Sequence, residues 1–151
     1  MSGIAKAFDP ETVLLAKHAQ HVVLVHFPIA LFIAGVAFAW ASRCTQQRAL
    51  GEAGYYNVLI AAFSTVPVLA TGLLAWRFQL EGQNLKGILL FHLVLAWTSS
   101  LLIWSVWWIH FRTRRRNEAV PGYLWVLEGV AVAAIGLTGH LGGFLSGVSG
   151  S

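Results

Sequence analysis

Four stretches of this chain carry almost no charge, and they fix what it can fold into. Residues 21–42, 58–76 and 88–111 contain no Asp, Glu, Lys or Arg, and residues 124–145 contain only Glu128. Each stretch is about 19–24 residues, which as helix gives roughly 29–36 Å and suits a bilayer core of ~30 Å. The lengths and the lack of strict polar/apolar alternation argue against barrel strands. Four transmembrane helices are expected. Composition agrees: 57% of the residues are apolar and 11% charged, whereas soluble domains carry about 25% charged residues. A water-soluble domain is thereby excluded, and so is disorder, which needs low hydrophobicity and high charge. The single Cys44 excludes an internal disulfide and any Cys-rich zinc or iron–sulfur site. No C-x-x-C-H element is present to attach a haem covalently. The formal net charge of +4 is too small and too localised for a nucleic-acid partner.

The chain divides simply. Asp9-Pro10-Glu11 is a helix-start signature, with Asp as cap and Pro at the first helical position. It predicts a short interfacial helix from Pro10 to about His18, ahead of the first span. Connections containing Gly51 and Gly54, Gly82 and Gly87, and Pro121 and Gly122 are short, so consecutive helices should pack antiparallel. The expected fold is all-α: a polytopic, up-down four-helix membrane bundle forming a single domain over residues 1–151.

Lys and Arg set the orientation. Arg43, Arg48, Arg112, Arg114, Arg115 and Arg116 occupy the first and third connections, against Lys6, Lys17, Arg77 and Lys86 on the other side. The cluster at 112–116 abuts a helix end, where the positive-inside bias is strongest, so both termini should face the periplasm or exterior. The cluster reads as a topology anchor that touches anionic lipid. Trp40, Trp104, Trp107, Trp108 and Trp125 fall near the cytoplasmic ends and Trp76 near the outer one, as an aromatic belt does.

The histidines call for chemistry. His26, His92 and His140 lie on three different spans at roughly 6–8 Å below the outer boundary, counting 1.5 Å per residue. Flipping the protein moves all three together. Each sits on a stripe of mostly small residues: Ala30, Ile33 and Ala37 from His26; Ala96 and Ser99 from His92; Gly136, Ala133 and Gly129 from His140. Ser64, Pro67, Thr71 and Ala75 make the matching stripe on the second span. These stripes are expected to face the bundle interior. A lone imidazole in a membrane helix can simply bond a neighbouring carbonyl, but three at one depth point to function. His21 lies about 140° around the helix from His26, so both need not point inward; Pro28 permits a kink between spans of that helix. His18 and His110 read as interfacial.

Several neutral imidazoles without an acidic or thiol partner suit a b-type haem, ligated axially by two His from facing helices with the macrocycle among Gly, Ala and Ser. His26 and His92 form the first expected pair. His140 is the alternative ligand, or a partner to a propionate or quinone, and His21 orients a ligand or lines the outer mouth. Arg77, at the end of the second span, could pair with a propionate, with Lys86 a weaker candidate. The same His26, His92 and His140 could instead hold copper or zinc, and a quinone headgroup could exchange its proton with a His. Glu128 reads as a cap-like residue favoured by the helix dipole, with proton uptake as the alternative. The G-x-x-x-G within Gly139-His140-Leu141-Gly142-Gly143 reads as close helix packing ahead of a cofactor contact.

The run His21-Val22-Val23-Leu24-Val25-His26-Phe27-Pro28-Ile29-Ala30-Leu31 resembles the opening H-P-x-x-V-H-F-P-x-A-L pattern of a bacterial membrane family, domain of unknown function 2231. Thr71-Gly72-Leu73 resembles its second-helix element, and Thr138-Gly139-His140-Leu141-Gly142-Gly143-Phe144-Leu145 its closing one. Val22 stands where the family usually has Pro. The similarity runs over about residues 18–148 and carries His21, His26, Pro28, Gly139, His140, Gly142 and Gly143; His92 rests on its depth alone. The resemblance implies a four-helix protein of the bacterial inner membrane. It also implies an association with cytochrome c or Rieske-type domains, to which members are often fused or adjacent.

The expected function is a cytochrome b-like electron-transfer subunit rather than a stand-alone enzyme. It would exchange electrons between quinol and a periplasmic carrier, among other membrane subunits of a redox complex. Two other classes stay open. A non-redox structural subunit would purify colourless. A small transporter or copper/zinc-handling protein would bind metal without a Soret band.

Overall fold

The computed structural model describes residues 17–78 and 86–145. It contains α1 (Lys17–Thr45), α2 (Arg48–Phe78), α3 (Gly87–Arg116) and α4 (Leu124–Leu145). All four are long and apolar enough to cross a membrane, and no strand occurs among the described residues. The interfacial helix expected from Pro10 lies outside the described residues, apart from residues 17 and 18, which belong to α1.

Packing follows chain order. α1 lies most intimately against α2 and α3 against α4; α2 meets α3 along a smaller seam, and α1 meets α4 along the thinnest. The result is an up-down bundle made of two hairpins. One of its ends collects the arginines in the helix turns that flank the α1–α2 and α3–α4 connections (the arginine end). The other collects His21, His26, His92 and His140 (the histidine end).

Two of the expected boundaries change. Gly51 and Gly54 do not lie in a loop; α2 begins at Arg48, and residues 46–47 alone connect it to α1. The reason is packing against α1. A Cβ on Gly54 would stand 2.9 Å from the Ala39 nitrogen, and one on Gly35 2.7 Å from a Val58 methyl. Only hydrogen at these positions lets the two backbones come this close, the usual device for joining helices in lipid. Likewise α3 runs on to Arg116 and ends at Asn117, whose left-handed φ of 53° suits Asn. There the Glu118 amide donates to the Thr113 carbonyl at 2.9 Å.

The core is one-sided along the membrane normal. Phe32, Val36, Val58, Ala61, Ala62, Ile103, Val106, Leu124, Ala131 and Ile135 are buried together, and all lie from mid-bundle toward the arginine end. In the histidine-end half of α1, α2 and α4, large apolar side chains such as Val23, Phe27, Leu73, Leu74, Leu137 and Phe144 are exposed to the lipid side.

Candidate functional site

α3 shows how two polar centres arise on one bundle. A helix completes five turns in 18 residues, so His92 and His110 share one face although they lie at opposite ends, roughly 27 Å apart along the axis. Ser99, Ile103 and Val106, all buried, lie on that face between them.

At the histidine end, each hairpin fastens one imidazole from its first helix to a Thr on its second. His21 Nδ1 lies 3.0 Å from Thr71 Oγ1. That hydroxyl already directs its hydrogen at the carbonyls of Pro67 and Val68, at 2.9 and 3.0 Å. It therefore accepts from His21, whose Nδ1 carries the hydrogen. His92 Nδ1 lies 3.1 Å from the Thr138 carbonyl oxygen, which can only accept, so here too Nδ1 donates. In the neutral ring the lone pair then resides on Nε2. The Thr138 hydroxyl donates to the Ala134 carbonyl and takes a bond from Ser99 Oγ at 2.9 Å. Each imidazole packs on a glycine: a Cβ on Gly72 would stand 3.0 Å from His21 Cε1, and one on Gly142 3.2 Å from His92 Cε1.

His26 and His140 are placed otherwise. Both are exposed, His140 with its ring edge-on to Phe144 at 4.9 Å. The stripes they share follow them: Ala30, Ile33, Ala37, Ala133 and Gly136 are exposed, and the expectation that these two stripes face the interior is corrected. The close approach at Gly35 and Gly54 fixes which face α1 turns inward, and His21, 18 residues before Ala39, lies on that face. The α3 stripe of Ala96 and Ser99 does turn inward. The expected three-histidine centre is therefore not assembled; among the described residues no group of three His, Cys, Asp or Glu side chains could hold a metal. Arg77 is exposed in the last turn of α2, at the histidine end.

The arginine end holds the denser constellation. Glu128 is fully buried. Its Oε2 accepts from Trp40 Nε1 and Arg43 Nη1, each at 2.7 Å, and its Oε1 from Arg43 Nη2 at 2.8 Å and His110 Nε2 at 2.9 Å. A carboxylate offers about four lone-pair sites, so every one is filled. Arg43 also lies over the Trp125 ring at 4.9 Å, and Trp125 stacks on Trp40 at 5.5 Å. This cluster ties α1, α3 and α4 together. Arg43 sits in the last turn of α1, where the helix dipole favours a cation. Glu128 is thus more than a cap. His110, Arg43 and Trp40 were legible in the sequence only as boundary, topology and belt residues. The signal for their convergence was Glu128 itself: a lone acid within an apolar span must be paired and hydrogen-bonded, and the cations at its depth were few.

A family model described as "Predicted membrane protein (DUF2231)" matches residues 17–150. Comparison with curated proteins and with solved structures gives no match.

Proposed function

The chain belongs to the DUF2231 family of predicted membrane proteins, and from that premise we propose that it is a cytochrome b-like electron-transfer subunit whose histidine end holds a b-type haem. The observation that carries this reading is the repeated His–Thr arrangement: His21 with Thr71 and His92 with Thr138. A neutral imidazole whose Nδ1–H is held by a neighbouring oxygen presents Nε2 to a metal and keeps its ring oriented, as ligating histidines do. The donor chemistry fits a haem iron, which His92 and His21 would hold in place of a pair containing His26. Gly72 and Gly142 accommodate the imidazoles themselves, so the macrocycle would occupy the looser half of the bundle. When bound, the group would supply one-electron exchange at its iron.

The remaining roles belong to the chain. Thr71 and Thr138 fix the tautomers. Arg77 would pair with a propionate at the nearer interface. The Glu128 cluster would keep the far end closed. The orientation proposed is the positive-inside one, with the arginine end in the cytoplasm of a bacterial inner membrane and both termini periplasmic. Electrons would then pass between quinol and a periplasmic cytochrome c or Rieske-type carrier, inside a complex with other membrane subunits.

A visible spectrum of the purified protein, oxidised and then dithionite-reduced, tests this. A reduced α-band is expected, lost in His92→Ala and His21→Ala and kept in His110→Ala. A colourless wild-type protein, or a normal band in both ligand variants, overturns it. A second reading has its own observation. The small residues Ala30 and Ala37 on α1 and Ala133 and Gly136 on α4 are exposed and suit a helix from another subunit. A packing subunit would be colourless and would co-purify with a stable membrane partner.

A further inference from the structure

The arginine end carries six arginines (43, 48, 112, 114, 115 and 116) against three glutamates (52, 118 and 128). The ion pairs leave this excess unevenly placed. Arg43 is committed to Glu128, Arg114 to Glu52 at 2.5 Å, and Arg116 reaches Glu118 at 3.8 Å. Arg48 approaches Glu52 only at 4.0 Å, with its side chain 95% exposed. Arg112 and Arg115 have no acidic partner among the described residues.

Two recesses open here. The larger, of about 230 Å³, lies between α1, α2 and α3; Arg48, Tyr55 and Arg114 line it, with Ser42 and Thr113, and so do the carboxylates Glu52 and Glu118, which are paired with Arg114 and Arg116. The second, of about 220 Å³, is lined by Tyr55, Phe111, Arg114 and Arg115. They share Tyr55 and Arg114, whose guanidinium lies over the Tyr55 ring at 4.6 Å. The pair places one cation on each side of an aromatic platform, with hydroxyls of Ser42 and Thr113 on the inner wall. The Ser42 hydroxyl already donates to the Gln47 carbonyl and that of Thr113 to the carbonyls of Ile109 and His110, whereas the guanidiniums suit a phosphodiester oxygen. Their position at the end of apolar spans, beside the exposed rings of the helix boundary, suits a phosphate that arrives on acyl chains.

We propose that these adjoining recesses form a binding site for the head group of an anionic phospholipid, with the loosely paired Arg48 and the unpaired Arg115 as its cations and Arg114 and Tyr55 as the fixed floor. The site is independent of any haem at the other end.

The test uses the full chain in nanodiscs of equal parts phosphatidylglycerol and phosphatidylcholine, with the lipids retained on release read by native mass spectrometry. Phosphatidylglycerol should be enriched by roughly five-fold for each participating arginine. Arg48→Gln with Arg115→Gln should bring the ratio close to that of the surrounding bilayer. Arg112→Gln with Arg116→Gln removes the same charge outside the recesses and should keep most of the enrichment. Wild-type protein without enrichment overturns the site, as does an equal loss in the two double variants, which would mean diffuse attraction. Loss of the bound lipid on adding inorganic phosphate, but not chloride at the same ionic strength, overturns the lipid assignment in favour of a soluble anion.

Discussion

At the arginine end, four donors close on one buried carboxylate and the apolar core is packed beneath them. At the histidine end, the two inward imidazoles are fastened to Thr71 and Thr138 of the hairpin partners, and the buried apolar cluster stops short of them. The two ends use the same elements of the same four helices, so the difference lies in side chains alone. The packed core sits at the end where a charge had to be neutralised in a low-dielectric interior, and there the loss of one partner would leave the other uncompensated. The end that carries the candidate ligands is the one left loosely packed. A bundle clamped at one end can open or admit a group at the other without losing its topology, because low-stability regions are where binding elements are found.

Breaking the clamp should have the largest effect. Glu128→Ala leaves the Arg43 guanidinium, 16% exposed, without its carboxylate and should cost up to about 3–5 kcal/mol, read as a large drop in thermal midpoint of the purified protein. Replacing Glu128 and Arg43 together with Leu and Met should recover much of that loss, since apolar replacement of a whole buried pair is often neutral. If the single variant melts like wild type, the clamp is not what holds this end.

The next largest effect belongs to the α1–α2 seam. Gly54→Ala forces a methyl to within 2.9 Å of the Ala39 nitrogen, where backbone must move; a loss of about 1–3 kcal/mol is expected for overpacking. Gly129→Ala, whose Cβ would meet nothing within 4 Å, should melt normally and serves as the control. At the histidine end, His92→Ala removes one neutral hydrogen bond and should cost only about 0.5–1.5 kcal/mol, measured on protein freed of any bound group. A penalty as large as that of Glu128→Ala would erase the contrast between the ends. Smallest of all, His140→Ala should change the midpoint by about 0.5 kcal/mol or less, as surface substitutions do. A larger loss would show that another chain covers this flank.

Much of this was legible in the sequence. Charge-free runs located the four spans, and counting residues from their ends put His21, His26, His92 and His140 at one end and Glu128 at the other. Helix faces are not legible in the same way. His26 and His140 were expected inside because they sit on small-residue stripes, yet small residues line both the inward side of α1, at Gly35 and Ala39, and its outward side, at Ala30 and Ala37. Gly51 and Gly54 read as a loop in the sequence because glycine also breaks helices, whereas here Gly54 brings two helices together.

What the sequence determined by itself is everything that depends on position along the chain: that the protein crosses a bilayer, how often, and which polar groups share a level. These follow from free energies summed residue by residue, which need no neighbour. Which way each helix is turned comes from the packing of the four helices together. In water a helix declares its inner face by amphipathicity, but in lipid the outside is as apolar as the inside, so that signal vanishes. The choice passes to the few contacts that only one rotation allows. Glycine against backbone at Gly35 and Gly54 turns His21 inward, and the need of Glu128 for four donors gathers Trp40, Arg43 and His110 around it.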